Sequence, residues 1–420
     1  MEMEEVVEDA AHGIVIVGGG ICGLATALAL HRKGISSLVL ERSEALRADG
    51  VAIGIHANGW RALEHLGVAA VLREATNAIT AYRSVWQLQN KTTLLPARKE
   101  LRCLTRKDLV ETLAKNLLPA GTIRFGCRVA AVDEDSGSRC PVLTTEDGHT
   151  IKAKVLIGCD GANSVVAKYL GLGNPSELPR LAILGLASYP DGHPFGTEFL
   201  TIAGDDLAVG RLPINDHLVH FFLSRRRPST DMARDASAAR EYVLEKLQEC
   251  PADVVDMVRR CDHASSLWTT TKVWYRPPWQ VALAAFFQLR RRAAVTVAGD
   301  AMHVMGPFIG QGGSSALEDA VVLARSLSSS RATVEGGADD LAGDRGRRHD
   351  QPQVDGEMGA AIGRYVRERR ARVIRLSLES FTVGTLLRTK SAVVRLVCAV
   401  VMALLGTRSR RHADYDCGSL

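Results

Sequence analysis

Gly18, Gly20 and Gly23 stand in the spacing G-x-G-x-x-G, which a backbone needs to wrap a pyrophosphate. The first glycine permits a tight turn. The second lets the chain approach the phosphates, and the third lets a helix close on a strand. The helix that opens there favours anionic oxygen at its N-terminus. Glu41, at the end of the next apolar run, offers a carboxylate to a ribose hydroxyl pair. Far along the chain a second glycine-rich stretch carries Gly299-Asp300, Gly306, Gly310 and Gly312-Gly313. Asp300 can accept from a ribityl or ribose hydroxyl. A helix from about Ser314 would turn its dipole toward a planar ring and stabilise negative charge on it. Two such turns, nearly the whole fold apart, describe one site finished from both ends. A cofactor as long as FAD needs that second region.

These residues require strand, turn and helix around them. Ile14–Val17 predicts a buried strand, Leu24–His31 a helix stopped by Gly34, and Leu38–Leu40 a second strand. Arg106–Leu118 predicts a helix from Leu109, Leu113 and Leu117, with Thr105 and Asp108 as its cap. Residues 122–157 read as short strands with turns at Ser136-Gly137 and Asp147-Gly148, leading into VLIGCDGANS. From Arg180 to about Trp279, alternating strands such as Leu218–Ser224 point to a sheet-rich insertion with one helix near 237–248. Val295–Ala298 returns as a strand. Residues 329–358 are polar, glycine-rich and without periodicity, and read as a flexible loop.

A chain of 420 residues is long for one core, so two domains are expected. A net charge of +5 and short basic clusters, Arg225–Arg227 and Arg290–Arg292, give no argument for nucleic acid. Nine cysteines without a CxxC pair fit free thiols in a reducing compartment. No spacing of histidines and cysteines suggests a metal. The acidic start MEMEEVVEDAAHG has neither the basic, apolar pattern of a secretory signal nor that of a transit peptide, so the cytoplasm is expected. Leu396–Leu405 is wholly apolar. As a helix it would reach about 15 Å, half the hydrocarbon thickness, which leaves a packed helix or peripheral membrane contact.

In chain order, Gly18-x-Gly20-x-x-Gly23, the Asp160-Gly161 pair of GCDGANS and Gly299-Asp300 match three signatures of one family. Over about residues 13–330 the chain resembles the FAD-dependent aromatic hydroxylases, the group A flavin monooxygenases. GIHANGWRALEHLG, LTRKDLVETLA and GDAMHVMGPFIGQGGSSALEDA are most similar to its plant monooxygenase branch, related to salicylate hydroxylase and zeaxanthin epoxidase.

The resemblance implies that Gly18, Gly20 and Gly23 hold the FAD pyrophosphate and Glu41 the adenosine ribose. Arg106 would contact the diphosphate region and Asp300 the ribityl or ribose part. Gly312-Gly313 would lie under the flavin ring, with Val51–Ile53 beside it. Asp160 and Gly161 belong to a motif linked to both FAD and NAD(P)H. The implied activity is a monooxygenase that takes NADPH or NADH and O2. It would hydroxylate a small aromatic or electron-rich substrate through a flavin C4a-hydroperoxide. An epoxidase and a flavin-binding paralogue without turnover are the alternatives.

Such a transfer needs no acid–base residue, so the catalytic set stays unnamed. For substrate, Arg211 offers a planar fork to a carboxylate, and His220 and Tyr189 are further candidates. Sequence does not fix which sheet face each occupies. His303 makes a loop hydrogen bond or a contact near the site. The expected architecture is α/β with an α+β insert. A Rossmann-like FAD-binding domain of glutathione-reductase type covers 11–180 and 291–328. A mixed-sheet substrate domain covers 181–290, and a helical segment 359–420.

Overall fold

In Ile14–Val17 and again in Val155–Ile157 every residue is apolar, the pattern of strands covered on both faces. The computed structural model describes residues 12–47, 51–117, 122–204, 207–226, 244, 245, 247, 250–261, 268–291, 294–336, 351–405 and 412–420. The chain begins β1 (His12–Val17), α1 (Ile21–Arg32), β2 (Leu38–Leu40), β3 (Ala52–His56), α2 (Ala57–His65) and α3 (Ala69–Glu74). It continues with β4 (Ala81–Trp86), β5 (Lys91–Pro96), β6 (Leu101–Thr105), α4 (Arg106–Lys115), β7 (Ile123–Arg124) and β8 (Val129–Glu134). Next come β9 (Pro141–Thr145), β10 (Thr150–Gly158), α5 (Val165–Tyr169), β11 (Ser176–Ser188), β12 (Glu198–Ala203), β13 (Leu207–Pro213) and β14 (Leu218–Arg226). The remainder is α6 (Ala252–Arg259), β15 (Trp268–Tyr275), α7 (Pro278–Arg291), β16 (Val295–Val297), α8 (Asp300–His303), α9 (Gly312–Gly336), α10 (Gln351–Leu386) and α11 (Ala392–Leu405).

One sheet is ordered β7-β2-β1-β10-β9-β8, with β16 beside β10. Its strands β2, β1, β10 and β16 run parallel, in the register Leu40, Val17, Gly158, Val297. All four therefore leave the sheet at one edge, the place where such sheets bind ligands. Helix α1 is buried from Ile21 to Leu30, as a helix apolar all round must be. It packs between this sheet and α9.

The other sheet is ordered β15-β11-β14-β13-β12-β4-β5. Alternation gives it two apolar faces. Ile183, Ala187, Val209, Val219 and Phe221 lie under Val254, Met257 and Val258 of α6. Leu184, Leu186, Leu212 and Phe222 turn the other way, onto Val51, Ala52 and Cys103 around β3 and β6. Two glycines make room for rings. A Cβ on Gly185 would stand 2.1 Å from Phe221 Cζ, and one on Gly210 2.1 Å from Phe222 Cε1.

Two expectations are corrected. The second sheet is not confined to 181–290: β11 starts at Ser176, and β4 and β5 come from residues 81–96. Parallel pairing of β4 with β12, Tyr82 opposite Phe199, captures that hairpin, a long-range contact with no local signal. The loop expected over 329–358 is helical at both ends, since α9 reaches Gly336 and α10 starts at Gln351. The buried run Ala320–Ala324 and the buried residues Ala361, Ile362, Tyr365 and Val366 carry the helices outward into polar residues. Residues 337–350 lie outside the described residues, as does most of the helix expected near 237–248.

Gly185→Ala must displace the Phe221 ring. It is expected to cost about 1–3 kcal/mol, read as a lower urea midpoint. Gly13→Ala, whose methyl meets nothing within 4 Å, should leave the midpoint unchanged.

Candidate cofactor and substrate site

Because four strands end together, Gly18, Glu41, Asp160 and Gly299-Asp300 emerge side by side. Backbone hydrogen bonds pin the exits. Gly18 N–H donates to Leu40 C=O at 2.8 Å, Cys159 N–H to Val17 C=O at 2.7 Å, and Ala298 N–H to Gly158 C=O at 2.9 Å. Gly18 has φ +104°, and a Cβ there would stand 2.5 Å from the Cys159 carbonyl oxygen. A Cβ on Gly23 would lie 1.9 Å from the Gly18 carbonyl oxygen, so α1 can close on the turn only with glycine there. Gly20 differs, since no chain atom lies within 4 Å of its Cβ position. Helix α1 starts at that point with no side-chain cap, which leaves its first N–H groups for an anion.

Glu41 is 6% exposed. Its Oε2 accepts from Gly19 N–H at 2.7 Å and its Oε1 from Ser43 N–H at 3.0 Å. Asp160 accepts from Val165 N–H at 2.7 Å through Oδ2, while its buried Oδ1 has no partner. Burial pushes this carboxyl up, against hydrogen bonds from Ser164 and the backbone. Asp300 keeps solvent contact, yet the surrounding protein desolvates it and pushes its carboxyl up. The charges of His303 and Arg106 pull it the other way. Arg106, the first residue of α4, is thus brought to Asp300 across the fold. Thr105 caps α4 as expected, accepting from Asp108 N–H at 3.0 Å. Gly313 lies against β3, where a Cβ would stand 2.5 Å from Ile53 Cδ1, whereas Gly312 is open.

These residues fit FAD. The space at Gly20 and Gly312 is that of a cradle. The unpartnered Asp160 oxygen needs a donor, and the uncapped start of α1 needs an acceptor.

Sequence reasoning missed the charges that hold this edge. Asp319, wholly buried in α9, accepts from Gly299 N–H at 2.9 Å, His303 Nε2 at 2.6 Å and Arg369 Nε at 2.7 Å. Its neighbour Glu318 meets Arg369 Nη1 at 2.6 Å and Arg372 Nη2 at 2.9 Å, and accepts from Asn58 Nδ2 at 2.6 Å. The one available signal was the pair Glu318-Asp319 inside the apolar run Ala316–Ala324. His303 takes the first of its two expected roles, a structural hydrogen bond.

Substrate candidates separate by sheet face. Arg211 pairs in register with Phe221 and therefore sits under α6, where Nη1 meets Asp253 Oδ2 at 2.6 Å. Its guanidinium covers Phe195 at 3.8 Å. Tyr189 belongs to the same α6-covered cluster. The expectation that Arg211 meets a substrate carboxylate is corrected: Asp253 takes that place, and strand alternation turns the side chain from the cleft. His220 pairs with Leu212 and Leu186 on the cleft-facing side. Its Nδ1 lies 3.1 Å from Gly185 C=O, and burial lowers its pKa to about 4, despite that bond. With it stand three rings. Tyr82–Phe199 lie 5.9 Å apart, Phe199–Phe222 6.5 Å and Phe222–His220 6.4 Å. Gly210 lets Phe199 and Phe222 meet across β13.

Gly20→Ala is expected to leave the melting temperature unchanged but to weaken FAD retention. Gly23→Ala should lower both. Flavin absorbance after gel filtration, beside thermal melts, reads the difference. A second prediction concerns acid. His220 and His56, whose burial lowers them to about 4 and about 3, stay neutral in the fold while the unfolded chain protonates near 6.5. Their stabilising contribution is complete above pH 6.5 and declines as pH falls toward 4. The melting temperature should drop across that window, and His220→Gln should flatten the slope in calorimetry.

A family profile described as FAD binding domain matches residues 12–341. Monooxygenase 1 of Arabidopsis thaliana is 43% identical over 411 residues, covering 97% of this chain and 99% of that protein. Monooxygenase 2 of Arabidopsis thaliana is 37% identical over 420 residues, covering 98% and 99%. Among solved structures, Klebsiella pneumoniae HpxO complexed with FAD and uric acid shares the fold. Its TM-score is 0.70 at 20% identity, over 96% of each chain. With the strand-edge cradle, these relationships place the chain in the FAD-dependent aromatic hydroxylase family, as a flavoprotein monooxygenase.

Proposed function

We propose that this monooxygenase takes electrons from NADPH or NADH and hydroxylates a small, planar, electron-rich ring with O2. The observation that carries the reading is the row Tyr82, Phe199, Phe222 and His220 on the sheet face packed against β3. The same strand holds Gly313 at the start of α9. Cofactor cradle and aromatic wall thus share one strand.

FAD, once bound, supplies the redox chemistry and the activation of oxygen. The chain's residues have other tasks. Gly18, Gly20, Gly23 and the start of α1 hold the pyrophosphate, with Arg106 beside it. Glu41 and Asp300 take hydroxyls of the ribose and ribityl parts, and Asp160-Gly161 contribute at the same edge. The rings of the wall stack a planar substrate and exclude water. His220, neutral near pH 7 and donating from Nδ1 to the Gly185 carbonyl, presents Nε2 as an acceptor for a phenolic hydroxyl. The HpxO complex with uric acid, a planar ring, supports the substrate shape.

The test is a panel of phenolic acids and fused-ring heterocycles offered with NADPH or NADH to the purified yellow protein. The expected result is stimulated nicotinamide oxidation and a product carrying one atom of ¹⁸O from ¹⁸O₂. Flavin that stays oxidised with both nicotinamides across the panel would overturn the proposal.

A further inference from the structure

Helix α11 inverts the arrangement of a soluble helix. Its apolar residues face outward, and Cys398 is its one buried side chain among the described residues. Val393, Leu396, Val397, Val400 and Leu404 are 71, 66, 56, 50 and 82% exposed. Their spacing of three and four residues puts them on one stripe along the helix. The other side of α11 rests on α10. Other large apolar side chains are exposed outside the helix. Leu387 is 52% exposed, and Trp279, 58% exposed, stands edge-on to Phe381 of α10 at 5.8 Å.

Charge identifies what covers this surface. Between Glu379 and Asp414 the sequence has no acidic residue, but it has Arg388, Lys390, Arg395, Arg408, Arg410 and Arg411. A protein partner's apolar groove would not require cations on both sides of the helix. An anionic bilayer surface does, since basic flanks meet headgroups while the apolar stripe enters the acyl boundary. At 14 residues the helix is about 21 Å long, and no described helix is long and apolar enough to cross a membrane. It can lie in the interface but not span it.

We propose that α11 docks this protein on membranes rich in anionic phospholipid, lying in the interface plane with the Val393–Leu404 stripe inserted. The inference is independent of the substrate. Full-length protein is floated with phosphatidylcholine vesicles with and without phosphatidylserine. Co-flotation is expected with phosphatidylserine, weaker by roughly tenfold without it or in high salt. Leu396→Glu/Val400→Glu should abolish flotation with melting temperature and flavin content unchanged, because both side chains are exposed. Lys390→Glu/Arg395→Glu should weaken binding to phosphatidylserine vesicles alone. No flotation, or equal flotation of wild type and Leu396→Glu/Val400→Glu, would overturn the proposal. A wild-type dimer that this variant makes monomeric, with neither binding vesicles, would assign the stripe to a second copy and also overturn it.

Discussion

One buried carboxylate ties together three stretches of chain that have no local reason to meet. Asp319 takes a backbone N–H from Gly299, a ring nitrogen from His303 and the guanidinium of Arg369. Burial alone would push this carboxyl up, but Arg369 and His303 hold it down to about 2. An isolated charge at that depth would cost far more than a fold can bear. With the cation beside it, the charge becomes a positional constraint, since losing either partner leaves the other buried and uncompensated. Gly299 precedes Asp300, so the acid that fixes α9 also fixes the turn carrying a proposed cofactor contact. Arg369 extends that constraint to α10, and Glu318 extends it through Asn58 to α2.

The cradle at the other end is built from small residues rather than charge. At Gly18 and Gly23 a side chain would collide with backbone, whereas a Cβ on Gly20 meets nothing within 4 Å, the space proposed for the cofactor. Glu41 accepts from the Gly19 and Ser43 N–H groups, one on each oxygen, which stiffens the turn that α1 opens and leaves each oxygen a further lone pair. One edge is thus held from two sides, by a carboxylate above the turn and by a buried network behind α9.

The first sheet was legible because its signals are local. A glycine pattern between an apolar strand and an apolar helix reports on residues within one βαβ unit, and the cap at Thr105 and Asp108 spans three residues. The returning Gly299-Asp300 turn is legible for the same reason. What failed was long-range. Tyr82 and Phe199 pair across more than a hundred residues, and nothing near either announces it. Arg211 was misread because a strand's period gives two faces without saying which is inward, and only α6 with Asp253 decides. The helix ends at 329–336 and 351–358 were misread as loop because composition reports solvent preference, whereas packing of neighbouring turns sets where a helix stops. The Glu318-Asp319 pair was visible, but its partner Arg369 lies fifty residues on.

The capture of β4 by β12 bears on how this architecture can be recombined. Tyr82 enters the aromatic wall from a hairpin that runs directly into β6 and then Arg106. The wall and the proposed cofactor contact at Arg106 therefore share a short piece of chain that precedes most of the second sheet. A chimera cut at the apparent borders of the inserted domain would leave the first ring of the wall behind. It would pair a foreign sheet with the resident β4–β5 hairpin, and with the wall acting as proposed the recipient would keep part of its own selectivity.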